Sequence, residues 1–425
     1  MKKPRFSLGS IVMLLATLFV VIGMAAFLTL IAGDGVYERT RTVFGLLADQ
    51  TEEATATPTG VPTASPMPEI TEGPTPSPSP TATPSLEPKR LTITAAGTIY
   101  APKTVRESVQ EGTDHYDFMT TFEGLSGALA GADLSVVTLE TTLAGREKGY
   151  GNYNTSPQLL DALRAVGVNF VSLATERALD KGYDGLDITA SELTSRSMGY
   201  AGVYPDGVNT GAAMLNVGGV QVAVLAYAYG LSDEGRERTK GDSRGVVALM
   251  ETQRVTRDIA QARVDGANIV VVLPHWGTKN RAQTPDTVHA MAERMAQAGA
   301  DVILGAHPNV VQGVERISTV RSDGLTYETV VCYSLGCLLT DARDSENTAG
   351  MAVRLEMTYD PAVRRVWPGA LEVTPLYIAR QREDSGIVYR VVNAQDEQAL
   401  EKLTLSEQAA AAQAAERVKN ATQEE

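Results

Sequence analysis

Unbroken apolar runs of strand length recur along much of this chain, and they constrain its fold more than any other feature. They read "LSVVTL", "NFVSLA", "VQVAVLAYA", "NIVVVL" and "DVILGA". A strand with one wet face alternates apolar and polar residues, so a run with no polar alternation belongs to a sheet covered on both faces. Helical segments separate the runs: about Asp117 to Ala130, "SPQLLDALRAVG", "DITASELTSRSMG", about Val247 to Asp265, and Pro285 to Ala298. This alternation predicts an α/β domain, with order beginning near Leu91 in the strand "LTITAAG".

The C-terminal part departs from the pattern. "TYETVVCYSLGCLL" and "MAVRLEMTYD" read as neighbouring antiparallel strands with no helix between them. The domain is expected to close near residue 380. Residues 381–425 read as a helical or disordered tail, within which Gln395–Glu425, rich in Ala, Glu and Gln, is helical by propensity but poorly amphipathic and so expected as a loosely docked or frayed terminal helix.

The other end of the chain carries an address. Lys2, Lys3 and Arg5 precede an uncharged apolar stretch from Leu8 to Gly33, longer than the roughly 20 residues that cross a bilayer as a helix. With positive charge ahead of the stretch, residues 1–34 are expected to be one membrane-spanning helix with a cytoplasmic N-terminus, leaving the body extracellular. Residues 35–90 then form a juxtamembrane region and spacer. From Thr51 to Pro88 this spacer is rich in Thr, Pro and Ser, cannot bury a core, and holds the body off the membrane as a semi-extended chain.

Two cysteines, Cys332 and Cys337, are too few for a disulfide framework and read as buried free thiols. The formal net charge of −14 argues against nucleic acid as a partner, because phosphate binding depends on clustered Lys and Arg. There is neither a Gly-x-Ser-x-Gly elbow nor a Walker-type phosphate loop.

In α/β sheets, ligands gather beyond the carboxyl ends of the strands. The polar residues there are Thr98, Glu140, Thr175, Glu176, Arg177, His275, His307 and Asn309. The chain has only four histidines, and two of them fall in this set. Imidazole and carboxylate together suit a divalent ion such as Zn, Mn or Fe, and Glu140, Glu176, His275 and His307 are the candidate metal ligands. Each also has a structural reading, as a hydrogen-bonded strand end or a turn cap.

The blocks "ADLSVVTLETTLAG", "NFVSLATERALDKGYDGL", "VVVLPHWG", "ADVILGAHPNVVQGVE" and "VCYSLGCLLTD" occur in order between about Leu91 and Asp341. In this they resemble the CapA family of poly-γ-glutamate capsule synthesis, within the calcineurin-like metallophosphatase superfamily. The resemblance implies a four-layer α/β/β/α sandwich with a metal site at one edge. Glu140, His275, Trp276 and His307 match the family pattern, as do the framing residues Asp180, Gly182, Gly185 and Pro308. Arg177, where the resemblance implies a histidine near the substrate, and Asp180 are the candidate catalytic positions.

Departures concentrate in the site. Thr98 stands where the family has an aspartate, and Thr138 where it has an asparagine. "ATER" replaces Ala-Asn-Asn-His at Thr175, Glu176 and Arg177; Asn309 replaces a histidine, and Cys337 an asparagine. Two-metal hydrolysis needs a bridging ligand, and a threonine at position 98 supplies no carboxylate. The expectation is therefore a binding or assembly component with impaired catalysis, holding a divalent metal or none. The alternative is an active single-metal hydrolase or transferase. By resemblance its partners are an anionic cell-surface polymer and membrane-bound synthesis proteins.

Overall fold

The computed structural model describes residues 87–209, 211–240, 246–321, 323–384 and 386–423. The apolar stretch Leu8–Gly33 and the spacer up to residue 86 lie outside the described residues. Among the described residues no helix is long and apolar enough to cross a membrane.

Two sheets organise the described chain into a mixed α/β fold. The first contains β1 (Lys89–Ile99), β2 (Leu134–Leu139), β3 (Phe170–Ser172), β4 (Gly199–Ala201), β12 (Ala349–Asp360), β13 (Arg365–Glu383) and β14 (Gly386–Asn393). They lie in the order β14-β13-β12-β1-β2-β3-β4, with the short β11 (Cys337–Leu339) beside the end of β1. Strands β1 to β4 pair parallel, whereas β12, β13 and β14 pair antiparallel. The second sheet runs β5-β6-β7-β8-β10-β9, from β5 (Ala213–Val217), β6 (Val220–Ala228), β7 (Ile269–His275), β8 (Val302–Leu304), β9 (Val314–Val320) and β10 (Thr326–Cys332).

The side-chain period of two explains the unbroken apolar runs. In β6, Val222, Val224 and Ala226 join a core that also holds Leu91 and Ile93 of β1. Ala223, Leu225 and Tyr227 face the other way, toward Val255 and Ile259 of the helix Thr252–Val264 and Ala292 and Met295 of the helix Asp286–Ala298. Strand β7 divides likewise, with Ile269, Val271 and Leu273 on one face and Val270 and Val272 on the other. Neither face meets water, so neither needs polar residues.

Three expectations are corrected. The helix expected over about Asp117–Ala130 is broken into Met119–Phe122, a 3-10 turn Glu123–Leu125, and Ser126–Leu129. Glycines at 124 and 127 weaken a continuous helix, and Gly124 lies so close to the Val391 carbonyl that a Cβ there would stand 2.5 Å away. The strands of "TYETVVC" and "MAVRLEMTYD" are not neighbours: β10 lies in the second sheet and β12 in the first. The chain crosses between them at Ser334–Gly336, with Gly336 in the left-handed region at φ +69°. Residues 381–425 hold the end of β13, all of β14, and the helices Glu397–Glu401 and Leu405–Thr422. Ala411 and Ala414 of the last helix are buried against Tyr377 and Ala379 of β13, so small side chains dock it closely rather than loosely.

Gly305, after β8, is a point of close approach. Trp276 donates from Nε1 to the Tyr333 carbonyl at 2.9 Å, directly above this glycine. A Cβ on Gly305 would run into that carbonyl and stand 2.5 Å from the indole nitrogen. Gly305→Ala is expected to cost about 3 kcal/mol of stability in urea unfolding, since backbone atoms must move; a loss under about 1 kcal/mol contradicts the packing.

Candidate functional site

The carboxyl ends of strands from both sheets meet at one place. Glu140 follows β2, its amide donating to the Ile99 carbonyl of β1 at 3.1 Å. His275 closes β7, and the backbone bonds Trp276 N to Ala306 O, 3.0 Å, and Ala306 N to Pro274 O, 2.9 Å, extend the β7/β8 pairing past β8. That pairing sets His307 beside His275, with ring centroids 4.6 Å apart. His307 adopts φ +98° and Asn309 φ +64°. Asparagine tolerates such a backbone, but for histidine it is strained, and strain of this kind collects at functional sites.

His275 Nε2 lies 2.7 Å from Glu140 Oε2, joining one sheet to the other. The Tyr100 hydroxyl lies 2.7 Å from the same carboxylate oxygen and 2.7 Å from Asn309 Oδ1. Burial, and after it the Glu140 charge, push that hydroxyl well above its ordinary pKa, so it remains a donor. The Tyr229 ring covers His307 at 4.5 Å and stacks on His275 at 6.0 Å. Glu140, His275 and His307 are all buried.

Within this cluster Glu140 Oε1, His275 Nδ1 and His307 Nδ1 are buried without a hydrogen-bond partner. Orphaned polar atoms are rare in native interiors and call for a reason. One donor atom from each of the three residues lies within 4.8 Å of the others, close enough to share one ion. Burial pushes the His307 imidazolium down to about 3, with His275 and Lys279 adding to the effect, so at neutral pH this ring offers a lone pair. The residues therefore fit one divalent ion with open coordination positions. They do not fit two, because Thr98, buried at the end of β1, offers only a hydroxyl.

Glu176 stands outside this trio. Lys279 Nζ donates to its Oε1 at 2.5 Å and Tyr229 to its Oε2 at 2.6 Å. Burial works against ionisation here, but the bonds from Lys279 and Tyr229 prevail and lower the carboxyl to about 2. The same ammonium lies 3.9 Å from Glu140 Oε1. Arg177 approaches Glu176 at 3.4 Å, reaches Asp180 Oδ2 at 3.3 Å, and lies over the Tyr153 ring at 4.0 Å. Asp180, its carboxyl raised by burial, also accepts from the Ser232 hydroxyl, which caps the helix Asp233–Arg238. Asp180 thus anchors Arg177 and the 232–238 segment.

The other substituted positions line the surroundings. Thr98 and Thr138 are register partners on β1 and β2, and Thr175 is buried after β3. Cys337 is a free, buried thiol whose Sγ lies 3.4 Å from the Asn309 carbonyl; burial, then Glu140, push its pKa up, which removes it as a thiolate nucleophile. Cys332 is likewise free and buried. Reading the sequence alone missed Tyr100, Tyr229 and Lys279. Tyr229 directly follows β6 and was open to the same strand-end rule that selected His275. Lys279 lies on a turn whose direction no periodicity reveals.

The Glu176 geometry predicts a pH dependence. Its folded pKa, about 2, lies below its ordinary value of 4.5, so the stabilisation is complete above 4.5 and is lost as pH falls toward 2. Glu176→Gln is expected to cost about 3 kcal/mol at pH 7 by chemical unfolding, with the penalty shrinking between pH 4.5 and 2. A penalty unchanged across that window contradicts the ion pair.

Comparison with known proteins places the chain. The family profile described as "Bacterial capsule synthesis protein PGA_cap" matches residues 92–342. The "Capsule biosynthesis protein CapA" of Bacillus anthracis is 27% identical over 269 residues, 60% of this chain and 61% of that protein. The "PGA biosynthesis protein CapA" of Bacillus subtilis (strain 168) is 25% identical over 272 residues, 63% of this chain and 66% of that protein. The chain thus spans less than two thirds of the length of these curated relatives. Among solved structures, the calcineurin-like phosphoesterase YfkN from Bacillus subtilis is similar with a TM-score of 0.42 and 14% identity, over 68% of this chain and 91% of that one. With more than half its length matched by the profile, the chain belongs to the bacterial capsule synthesis protein family PGA_cap.

Proposed function

We propose that this chain is an accessory component in the synthesis of poly-γ-glutamate or a related capsule or surface polymer, and that it binds or assembles the polymer rather than cleaving it. The observation that carries this reading is the pairing of the Glu140 and Glu176 carboxylates with the Lys279 ammonium, beside a threonine in place of a bridging carboxylate. Such a centre lacks the donors that two-metal hydrolysis requires. The fold is read as the four-layer metallophosphatase sandwich. The apolar stretch Leu8–Gly33 is read as a single-pass anchor with a cytoplasmic N-terminus, holding the body outside the cell near membrane-bound synthesis proteins.

Arg177 is the group best suited to meet an anionic polymer. Its guanidinium is positioned by Tyr153 and Asp180, its side chain is 21% exposed, and its planar fork matches a carboxylate. Lys279, 37% exposed, lies across Glu176 from it. Together they put two cationic groups at the partly exposed edge of the site, on a chain whose overall charge is −14.

A second reading, a single-metal hydrolase or transferase, is supported by the three orphaned donor atoms. Glu140, His275 and His307 would hold the ion, which would supply Lewis-acid polarisation of a bound carbonyl or phosphoryl oxygen. Arg177 would orient the anionic part of the substrate.

The test is binding of poly-γ-glutamate to the full-length protein in detergent, paired with an assay for phosphoesterase and γ-glutamyl hydrolase turnover. Binding that weakens at least about tenfold in Arg177→Gln and falls with added salt, without turnover, is expected. Metal-dependent turnover abolished by His275→Ala contradicts the first reading and favours the second.

A further inference from the structure

We propose that Lys279 is a built-in cation that takes the place of a second divalent ion and holds the site to one ion at most. This deepens the reading above, which excludes a two-metal centre but does not say what neutralises the carboxylates.

Glu140 and Glu176 come from the ends of adjacent strands, β2 and β3, and both are buried. Two buried carboxylates this close to each other must be protonated or share positive charge. The Lys279 ammonium supplies that charge, 2.5 Å from Glu176 Oε1 and 3.9 Å from Glu140 Oε1.

The lysine is aimed by a braced turn rather than left as a free surface arm. Two left-handed residues, Gly277 at φ +84° and Asn280 at φ +58°, bracket it and fold the chain back over the strand ends. The Asn280 amide donates to the Pro308 carbonyl at 2.8 Å, and its side-chain oxygen accepts from Asn347 Nδ2 at 3.0 Å. The turn is thus tied to the segment that carries His307 and to the loop ahead of β12.

Charge decides the consequence. Lys279 faces Glu140 and Glu176, and Arg177 faces Glu176 and Asp180, so two cations meet three carboxylates and one negative charge is left unbalanced. A divalent ion on Glu140, His275 and His307 would overcharge the pocket and lie close to the ammonium. Without the lysine charge, Glu176 is released as a further donor, and two unbalanced negative charges face the ion. Lys279 therefore competes with metal in this chain.

Calorimetric titration of the full-length protein with MnCl2 and with ZnCl2 tests this. Lys279→Gln is expected to bind at least about tenfold tighter than wild type, since each factor of ten needs only a modest change in local electrostatics. Lys279→Arg keeps the charge and is expected to stay near wild type, while Lys279→Gln combined with Glu176→Gln is expected to lose the gain. Because removing the ammonium leaves carboxylates unpaired, the melting temperature of Lys279→Gln is followed as well: it falls without metal and is restored by it. Equal affinity in wild type and Lys279→Gln, an equal gain in Lys279→Arg, or no metal-dependent rise in melting temperature overturns the proposal. Polymer binding by wild type that persists alongside any of these results leaves the functional reading standing.

Discussion

The hydrogen bond between His275 Nε2 and Glu140 Oε2 is the contact on which the site depends, because each sheet contributes one end of it. A carboxylate buried alone would be costly; here it is met by an imidazole, by the Tyr100 hydroxyl and, at longer range, by an ammonium. The bond also fixes the ring plane of His275 and so the direction of its unpartnered Nδ1. Everything else at the centre is arranged around this pair. His307 packs edge-on to the ring, Tyr229 covers both histidines, and Glu176 is drawn to the far side of Lys279.

The fold makes that arrangement stiff. Strands buried on both faces cannot slip by one residue without turning apolar side chains into the wrong layer, so the strand ends that carry Glu140 and His275 keep their register. Gly305 lets the backbone of Tyr333, just after β10, and the indole of Trp276 close over the end of β8, two residues before His307. The left-handed backbone at His307 is held by these neighbours rather than by its own preference.

The architecture was legible where burial imposed a pattern. "LSVVTL" is β2 without a residue of error, and "VQVAVLAYA" is β6. The gathering of Glu140, His275 and His307 was legible from the rule that ligands collect at carboxyl ends of strands, together with the family blocks that carry all three residues. What was not legible depended on side-chain direction and on close packing. Glu176 sits at a strand end like the others, yet a lysine from a turn beyond β7 claims it, and nothing in "HWGTKN" announces that the turn folds back. The separation of β10 from β12 hinges on the left-handed backbone of Gly336. The docking of the last helix rests on alanines, whose weak amphipathic signal hides how closely they approach a sheet.

The most direct test of the central claim is anomalous diffraction at the manganese edge from crystals of the protein soaked in manganese. The account predicts no more than one peak, among Glu140, His275 and His307, with the Lys279 side chain resolved between the Glu140 and Glu176 carboxylates. Two peaks roughly 3.5 to 4 Å apart, with Lys279 displaced into solvent, would contradict it.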